Sequence, residues 1–444
     1  MACDLLRAAI MRARPAVLCI ALVAAGSGCS SSHATSPATD PLGYLDSASI
    51  RREALVSSLV NPDNGYSSIR LAHYATGTTG DWDDLPEWNP DVETIAVSEL
   101  EAPGGASTPT LSPGATGLAL PPTLSSIDDP ALLALGKAAF ERYPTQIAPY
   151  LSVALTSPAA AARYGLWTDA TRGVAGLVRA RMADGSAAVA LTCSTCHALP
   201  DLTGRIAPGL PNRDLDLGAA IMDASPSGPP EAVSAWGPGR VDVTTATGTE
   251  PARIPDLRPV RWLTYLQQDA TLRGADLTTL AIRIETLVIG SNAYVVRPPR
   301  IVALALAVYV TSLASGLPSA EAGAAAAPEG AAVFSQQCSG CHVPPELTGP
   351  PVPLSVIGTD PTLGLSPSRG TGTYRVPSRP GVGSRGPLLH DGTIPSVAAL
   401  LDPSRLTSSF TGRLHGSGAV PGHPFGLDLA ARDRTSLVTY LSLL

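Results

Sequence analysis

Apolar residues recur at helical spacing in four stretches of this chain, and the four fall into two pairs. Leu132, Leu135 and Ala139 mark one face of a helix predicted over Ala131 to Tyr143, which Asp128-Asp129-Pro130 opens and Pro144 stops. Pro328 to Gln337 reads as a second such helix. The runs VALALAVYVTSL, from Val302 to Leu313, and TSLVTYLSLL, from Thr435 to Leu444, read as two more, with Tyr309 and Tyr440 in register. Composition punctuates the rest. Ala102 to Ser126 and Ala314 to Gly330 read as linkers, and Tyr150 to Ala190 as an Ala-rich helical insertion. Tyr44 to Glu101, with Trp82, Trp88 and several prolines, reads as an irregular extension packed on the next domain.

The pairing is part of an internal repeat. Ile254-Pro255, Val260 and Leu266-Gln267-Gln268-Asp269-Ala270-Thr271 return at a constant offset of 122 as Val376-Pro377, Val382 and Leu388-Leu389-His390-Asp391-Gly392-Thr393. The organisation expected is a leader over 1–28, a tether over 29–43, an extension and linker over 44–126, and a first domain over 127–313 with the helical insertion. A linker over 314–329 and a second domain over 330–444 complete it.

Chemistry is concentrated in two pentapeptides. Cys193-Ser194-Thr195-Cys196-His197 and Cys338-Ser339-Gly340-Cys341-His342 lie 145 residues apart in a chain with seven Cys and seven His. Each is a CxxCH, the signature of covalent haem c: two thiols bond the porphyrin vinyl groups and the adjacent imidazole becomes the proximal iron ligand. The competing reading is a CxxC zinc or redox pair that happens to precede His. Two covalently bound haems are expected, with Cys193, Cys196, His197, Cys338, Cys341 and His342 as the attachment and ligand residues. The fold class expected is mainly α and loop-rich: two tandem class I-like cytochrome c domains behind an irregular N-terminal extension.

Of the 444 residues 44% are hydrophobic, enough for two or three modest cores, while 42 Gly, 43 Pro and only 15% charged residues indicate many loops. A net charge of −7 offers no basic face for nucleic acid and would suit a small basic electron-transfer partner. Arg7, Arg12 and Arg14, then an apolar run from Ala16 to Ala25, read as a secretory signal, in agreement with haem c attachment outside the cytoplasm. Gly26-Ser27-Gly28-Cys29 before Ser30-Ser31-Ser32 resembles a bacterial lipoprotein signal, with Gly26 where Leu is usual. The expected location is periplasmic, anchored through lipid on Cys29, with the outer membrane suspected. Elsewhere the longest apolar run, Ile301 to Val310, is too short to span a bilayer.

The two CxxCH motifs, with Tyr374-Arg375-Val376-Pro377-Ser378 leading to Leu389-His390-Asp391-Gly392-Thr393, resemble the bacterial di-haem cytochrome c peroxidase family, which includes the MauG-like enzymes. The resemblance runs from Leu191 to Leu444. It implies a periplasmic two-domain cytochrome in which one haem takes electrons from a small donor, a cytochrome or a cupredoxin, and the other reduces hydrogen peroxide or oxidises a bound substrate. Three departures stand out. Pro380 occupies a position the family gives to Arg, Leu388 stands where it prefers Tyr, and Gln268 aligns through the repeat with the Trp between the haems. No Met follows the second motif, so the usual thioether ligand is missing.

The sixth ligand sets potential and reactivity. His423-Pro424-Phe425-Gly426 occupies the loop before the last helix, which favours His423 at the second haem, with His415 as the alternative and an open site as the third reading. The corresponding loop of the first half, Gly290 to Pro299, offers only Tyr294, which suits an open or weakly ligated first haem. His73 is a candidate to reach over a haem, with a surface or hydrogen-bonded histidine as the favoured reading. Arg261, Arg273 and Arg375 are candidate propionate partners. By the resemblance His390 orients its loop, and a carboxylate carries the proton in peroxide cleavage; Glu285 is the candidate, against a reading as a solvated helix residue pairing with Arg283. Three functions are consistent with these residues: a peroxidase-like oxidoreductase, a non-catalytic electron-transfer lipoprotein, or MauG-like or oxygenase-like oxidation of another substrate.

Overall fold

Short side chains with an oxygen to offer set most of the helix starts. Ser47 accepts from the Ile50 backbone N–H and opens α1, Ala48–Ser58, while Asn64 accepts from Ser67 and opens α2, Gly65–His73. Asp129 caps α3, Pro130–Arg142, whose first position suits Pro130. Asp276 caps α4, Leu277–Ser291. The remaining long helices are α5, Arg300–Ser312; α6, Ala320–Ala326, behind Ser319; α7, Pro328–Gln337; and α8, Ala431–Ser442. The computed structural model describes residues 40–106, 110–201, 203–225, 231–242, 249–274, 276–378 and 380–444. The expected leader and Cys29 lie outside the described residues.

The four helices expected from apolar spacing all form, and they cross in two like pairs. α3 packs on α5 and α7 on α8. Each crossing is close because a glycine sits at the contact. A Cβ at Gly136 would collide with the Ala305 carbonyl oxygen, and one at Gly330 with that of Ser436. One turn beyond each glycine an aromatic pair meets edge to face: Phe140 with Tyr309 at 5.3 Å and 60°, Phe334 with Tyr440 at 5.6 Å and 62°.

The repeat read from the sequence is also a repeat of backbone. In the first half β5, Tyr265–Leu266, pairs with β6, Leu272–Arg273, in a tight hairpin; Leu388 bridges Ile394 at the same offset of 122. Gln267 and Leu389 both take a left-handed conformation, at φ 64° and 67°, as do Ala270 and Gly392, at 56° and 70°. Thr271 donates to the Asp269 carboxylate at 2.7 Å, and Thr393 donates to that of Asp391.

Three expectations are corrected. The Tyr150 to Ala190 insertion is α-helical only through Pro158–Arg163, behind a 3-10 turn over Pro149–Leu155. Beyond it a hairpin forms, β3, Val178–Arg181, against β4, Ala187–Leu191, in a four-stranded sheet whose order is β1-β3-β4-β2, where β1 is Val92–Thr94 and β2 is Gln146–Ile147. The turn explains it: Asp184 accepts from the Ser186 N–H at 2.9 Å and Gly185 adopts φ 82°, so the alanines on either side pair as strands. The extension is not irregular but carries α1 and α2, and its Tyr44, Leu55, Tyr74 and Trp82 share one buried core with Leu132, Leu304 and Tyr309. The spacer after Leu313 holds α6, where Gly323 lets Leu444 and Tyr440 approach.

The described residues from Asp40 onward lie in one compact unit, mixed and loop-rich, with more helix than strand and only small sheets. The stretch Arg300–Ala326 is long and apolar enough to cross a membrane by length and composition, yet half of its most apolar window is buried inside the protein.

Candidate cofactor sites

The second pentapeptide follows α7 directly. His342 donates its backbone N–H to the Cys338 carbonyl at 2.9 Å, which continues the turn and brings both thiols and the imidazole to one side. Nδ1 of His342 lies 3.1 Å from the Leu347 carbonyl oxygen; a carbonyl only accepts, so Nδ1 carries the proton and any metal bond would fall to Nε2. These side chains open into a cavity lined by Phe334, Tyr374, Leu388, His390, Leu401 and, on the other side, His423. His415 does not line it. It lies near Gly237 and Arg240.

His342 and His423 face each other with ring centroids 6.5 Å apart. Two metal–nitrogen bonds of about 2 Å each, with each ring's own radius of about 1.1 Å behind them, span roughly 6.2 Å. The separation therefore fits one iron between two imidazoles. His390 also lines the cavity, but its ring stacks on Tyr374 at 4.4 Å, and its carbonyl accepts from the Arg253 backbone N–H.

The cavity also gathers positive charge. Arg253, Arg375 and Arg385 line it, and Arg253 Nη1, Arg375 Nε and Arg385 Nε are buried without a hydrogen-bond partner. Burial, reinforced by the charge of its neighbours Arg385 and Arg375, pulls the Arg253 guanidinium down to about 9, and burial followed by Arg385 pulls Arg375 to about 10. Asp256, which acts on Arg253 and Arg385, already pairs with Arg258 at 2.7 Å. Three cations crowded into an apolar cavity call for anions, and the two carboxylates of a haem match that demand. Of the three propionate candidates read from the sequence, Arg375 is here, whereas Arg261 and Arg273 are exposed. Arg253 and Arg385 were missed because nothing in the sequence marks an arginine as buried.

The first pentapeptide is a short helix, Cys193–His197, pinned by polar contacts. Thr192 donates to the Gly176 carbonyl at 2.8 Å, its backbone N–H meets Thr195 Oγ1 at 3.2 Å, and the Asn212 amide donates to the Thr195 and Gly165 carbonyls at 3.1 Å. Cys193 packs against the core that holds α3 and α5, and Cys196 against a second core built around Trp167, Leu177 and Leu191. Nδ1 of His197 lies 3.0 Å from the Pro255 carbonyl, so here too any metal bond would fall to Nε2. Burial draws its imidazole down to about 4 and pushes the Cys193 and Cys196 thiols up to about 12.

His73 is the hydrogen-bonded histidine of the favoured reading, whereas Glu285 meets neighbours other than those expected. His73 lies 3.1 Å through Nδ1 from the Gly80 carbonyl and stacks on Trp82, which stacks in turn on Tyr294 at 5.5 Å. Glu285 is fully buried rather than solvated. It accepts from Tyr74 at 2.5 Å and Tyr44 at 2.8 Å, and Arg300 lies at 3.3 Å. Arg283, two residues earlier and so about 200° round the helix, is the side chain whose charge reaches His197. Glu285 therefore points away from that side and fastens the extension to α4.

Among the described residues no three of His, Cys, Asp and Glu converge to hold a metal ion. No protein-family model and no curated protein matches this chain.

Proposed function

We propose that this chain is a di-haem c-type cytochrome of two tandem cytochrome c domains, exported to the periplasm, lipid-anchored at Cys29, and related to the peroxidase-like di-haem oxidoreductases. The observation that carries the reading is the second cavity, where a CxxCH faces His423 across 6.5 Å and three buried arginines supply counter-charge. The like helix pairs and the left-handed hairpins support reading the first motif as another copy of the same device.

Each residue has a task in this reading. Cys193 and Cys196, and Cys338 and Cys341, form thioether bonds. His197 and His342, oriented by the Pro255 and Leu347 carbonyls, would meet the iron through Nε2. Arg253, Arg375 and Arg385 neutralise carboxylates in the second cavity. Bound haem would supply one-electron chemistry at iron. His423 closes the second site, while the first half's equivalent loop offers the phenol of Tyr294, already stacked on Trp82. The first half is thus where a small oxidant such as hydrogen peroxide would find a position, and the second is where a small electron-donor protein would be served. No proton step is assigned to Glu285.

An electron paramagnetic resonance spectrum of the oxidised protein, with mass spectrometry of the denatured chain, tests this. Two covalent haems are expected, one low-spin with two imidazole ligands and one high-spin and responsive to peroxide. Two low-spin irons indifferent to peroxide would replace the enzyme with an electron carrier. A chain without covalent haem would end the proposal.

A further inference from the structure

Arg405 is the largest fully buried side chain among the described residues, with 0% exposure, and it lies outside the lining of the cavity just described. Burying a guanidinium is costly unless its N–H groups are all answered. Here main-chain carbonyls answer them. Nε donates to Leu400 at 2.7 Å, Nη2 to His423 at 2.7 Å, and Nη1 to Val420. In return the Val420 backbone N–H donates to the Arg405 carbonyl at 2.7 Å. The bonds join the end of the short helix Val397–Leu400 to a loop that lacks helix or strand of its own from 407 to 430.

That loop must hold His423 in a left-handed conformation, φ 58°, which a side chain with a Cβ rarely adopts unaided. Two contacts fix it. The His423 N–H donates to the Ile357 carbonyl at 2.7 Å, and its carbonyl receives Arg405. With both faces of the His423 backbone tied, the ring is aimed at His342. Arg413 arranges only the preceding bend, donating to the His415 and Ser417 carbonyls at 2.7 and 2.8 Å.

We propose that Arg405 is a positioning residue for the distal ligand of the second site: its three-way carbonyl clamp preorganises His423 and so decides whether a second imidazole reaches the iron. This rests on the reading of His423 as that ligand. The fork is what matters, because an ammonium cannot reach three carbonyls set around a plane.

The test uses the full-length di-haem protein, with Arg405→Lys and Arg405→Met beside His423→Ala. Imidazole is titrated into each oxidised protein while spin state is followed optically and by electron paramagnetic resonance. In the parent, added imidazole must displace His423. In both Arg405 variants the second haem is expected to bind imidazole about 10- to 100-fold more tightly, the scale on which lost outer contacts weaken a ligand. A high-spin fraction should appear without imidazole and vanish with it. A merely structural role would lower the melting temperature and leave the titration unchanged, and that result overturns the proposal. Arg405→Lys decides the matter should Arg405→Met fail to fold. If His423→Ala itself stays low-spin, the ligand assignment fails; if it turns high-spin while both Arg405 variants titrate like the parent, only the clamp fails.

Discussion

The two halves of the molecule share a frame and differ in what they hang on it. Gly136 and Gly330 let their helices cross at backbone contact, and Phe140–Tyr309 and Phe334–Tyr440 lock the crossings at nearly the same distance and tilt. The hairpins at 265–273 and 388–394 agree down to their left-handed residues. Yet His197 is oriented by a carbonyl far along the chain, at Pro255, and His342 by one close by, at Leu347. One distal loop offers Tyr294 and the other His423. Close packing tolerates little change, so the frame persists. Loops outside it are free to diverge, and the difference in what surrounds the two pentapeptides is therefore written in loops.

The largest expected effect separates the halves outright. Cys196→Ser and Cys341→Ser should each abolish one covalent haem and leave the other, read as the mass of the denatured chain. If either change removes both, the halves do not mature independently, and the comparison loses its meaning for assembly.

Next in size is Glu285, which ties the extension to the first half alone. Glu285→Gln leaves Arg300 buried with less counter-charge and should cost about 3 kcal/mol. Denaturant unfolding should show the loss while the spectrum of the second haem stays put. Tyr44→Phe and Tyr74→Phe should each cost about 1 kcal/mol along the same line. If Glu285→Gln instead keeps full stability and loses peroxide turnover, the carboxylate is a proton carrier and the anchor reading is wrong.

Smaller again are Gly136→Ala and Gly330→Ala, each expected to cost about 1–3 kcal/mol because the added methyl meets a carbonyl on the facing helix. Equal costs in thermal melts would support the shared frame. A variant that melts like the parent would show that its crossing is looser than its twin.

Legibility in the chain divides along the same line. The frame was legible, because α3, α5, α7 and α8 carry apolar stripes, α3 behind its Asp129 cap, and Pro328–Gln337 begins and ends where expected. So were the motif residues and the placing of His423, which depend on spacing alone. The 178–191 hairpin was not, because alanine suits helix by propensity and only the Asp184-Gly185 turn tips it into strand. Nor were Arg253, Arg385 and Arg405. An arginine's burial depends on which distant carbonyls and charges the fold brings to it, and Leu389, Leu400 and Val420 announce nothing in sequence.

The smallest expected effect again touches one half only. Asp81 opens the turn that carries Trp82, the ring stacked on Tyr294, and its carboxylate accepts from the backbone N–H groups of Ala75 and Asp83 at 3.0 Å and Gly77 at 2.6 Å. Burial alone would raise its pKa, but these N–H groups outweigh it and hold the carboxyl below its ordinary value. A depressed folded value means that the stabilisation is complete above the unfolded pKa, about 3.9, and is lost as pH falls through the folded one. Asp81→Ala should therefore cost about 1 kcal/mol at neutral pH, as lost caps do. Asp81→Asn, which keeps an acceptor but cannot be protonated, should cost less and flatten the stability profile below pH 4. The reading is the difference in tryptophan fluorescence between parent and Trp82→Phe during acid titration. The second haem's spectrum should not follow it. If Asp81→Asn leaves the acid transition of Trp82 where it was, another carboxylate governs this end of the first half.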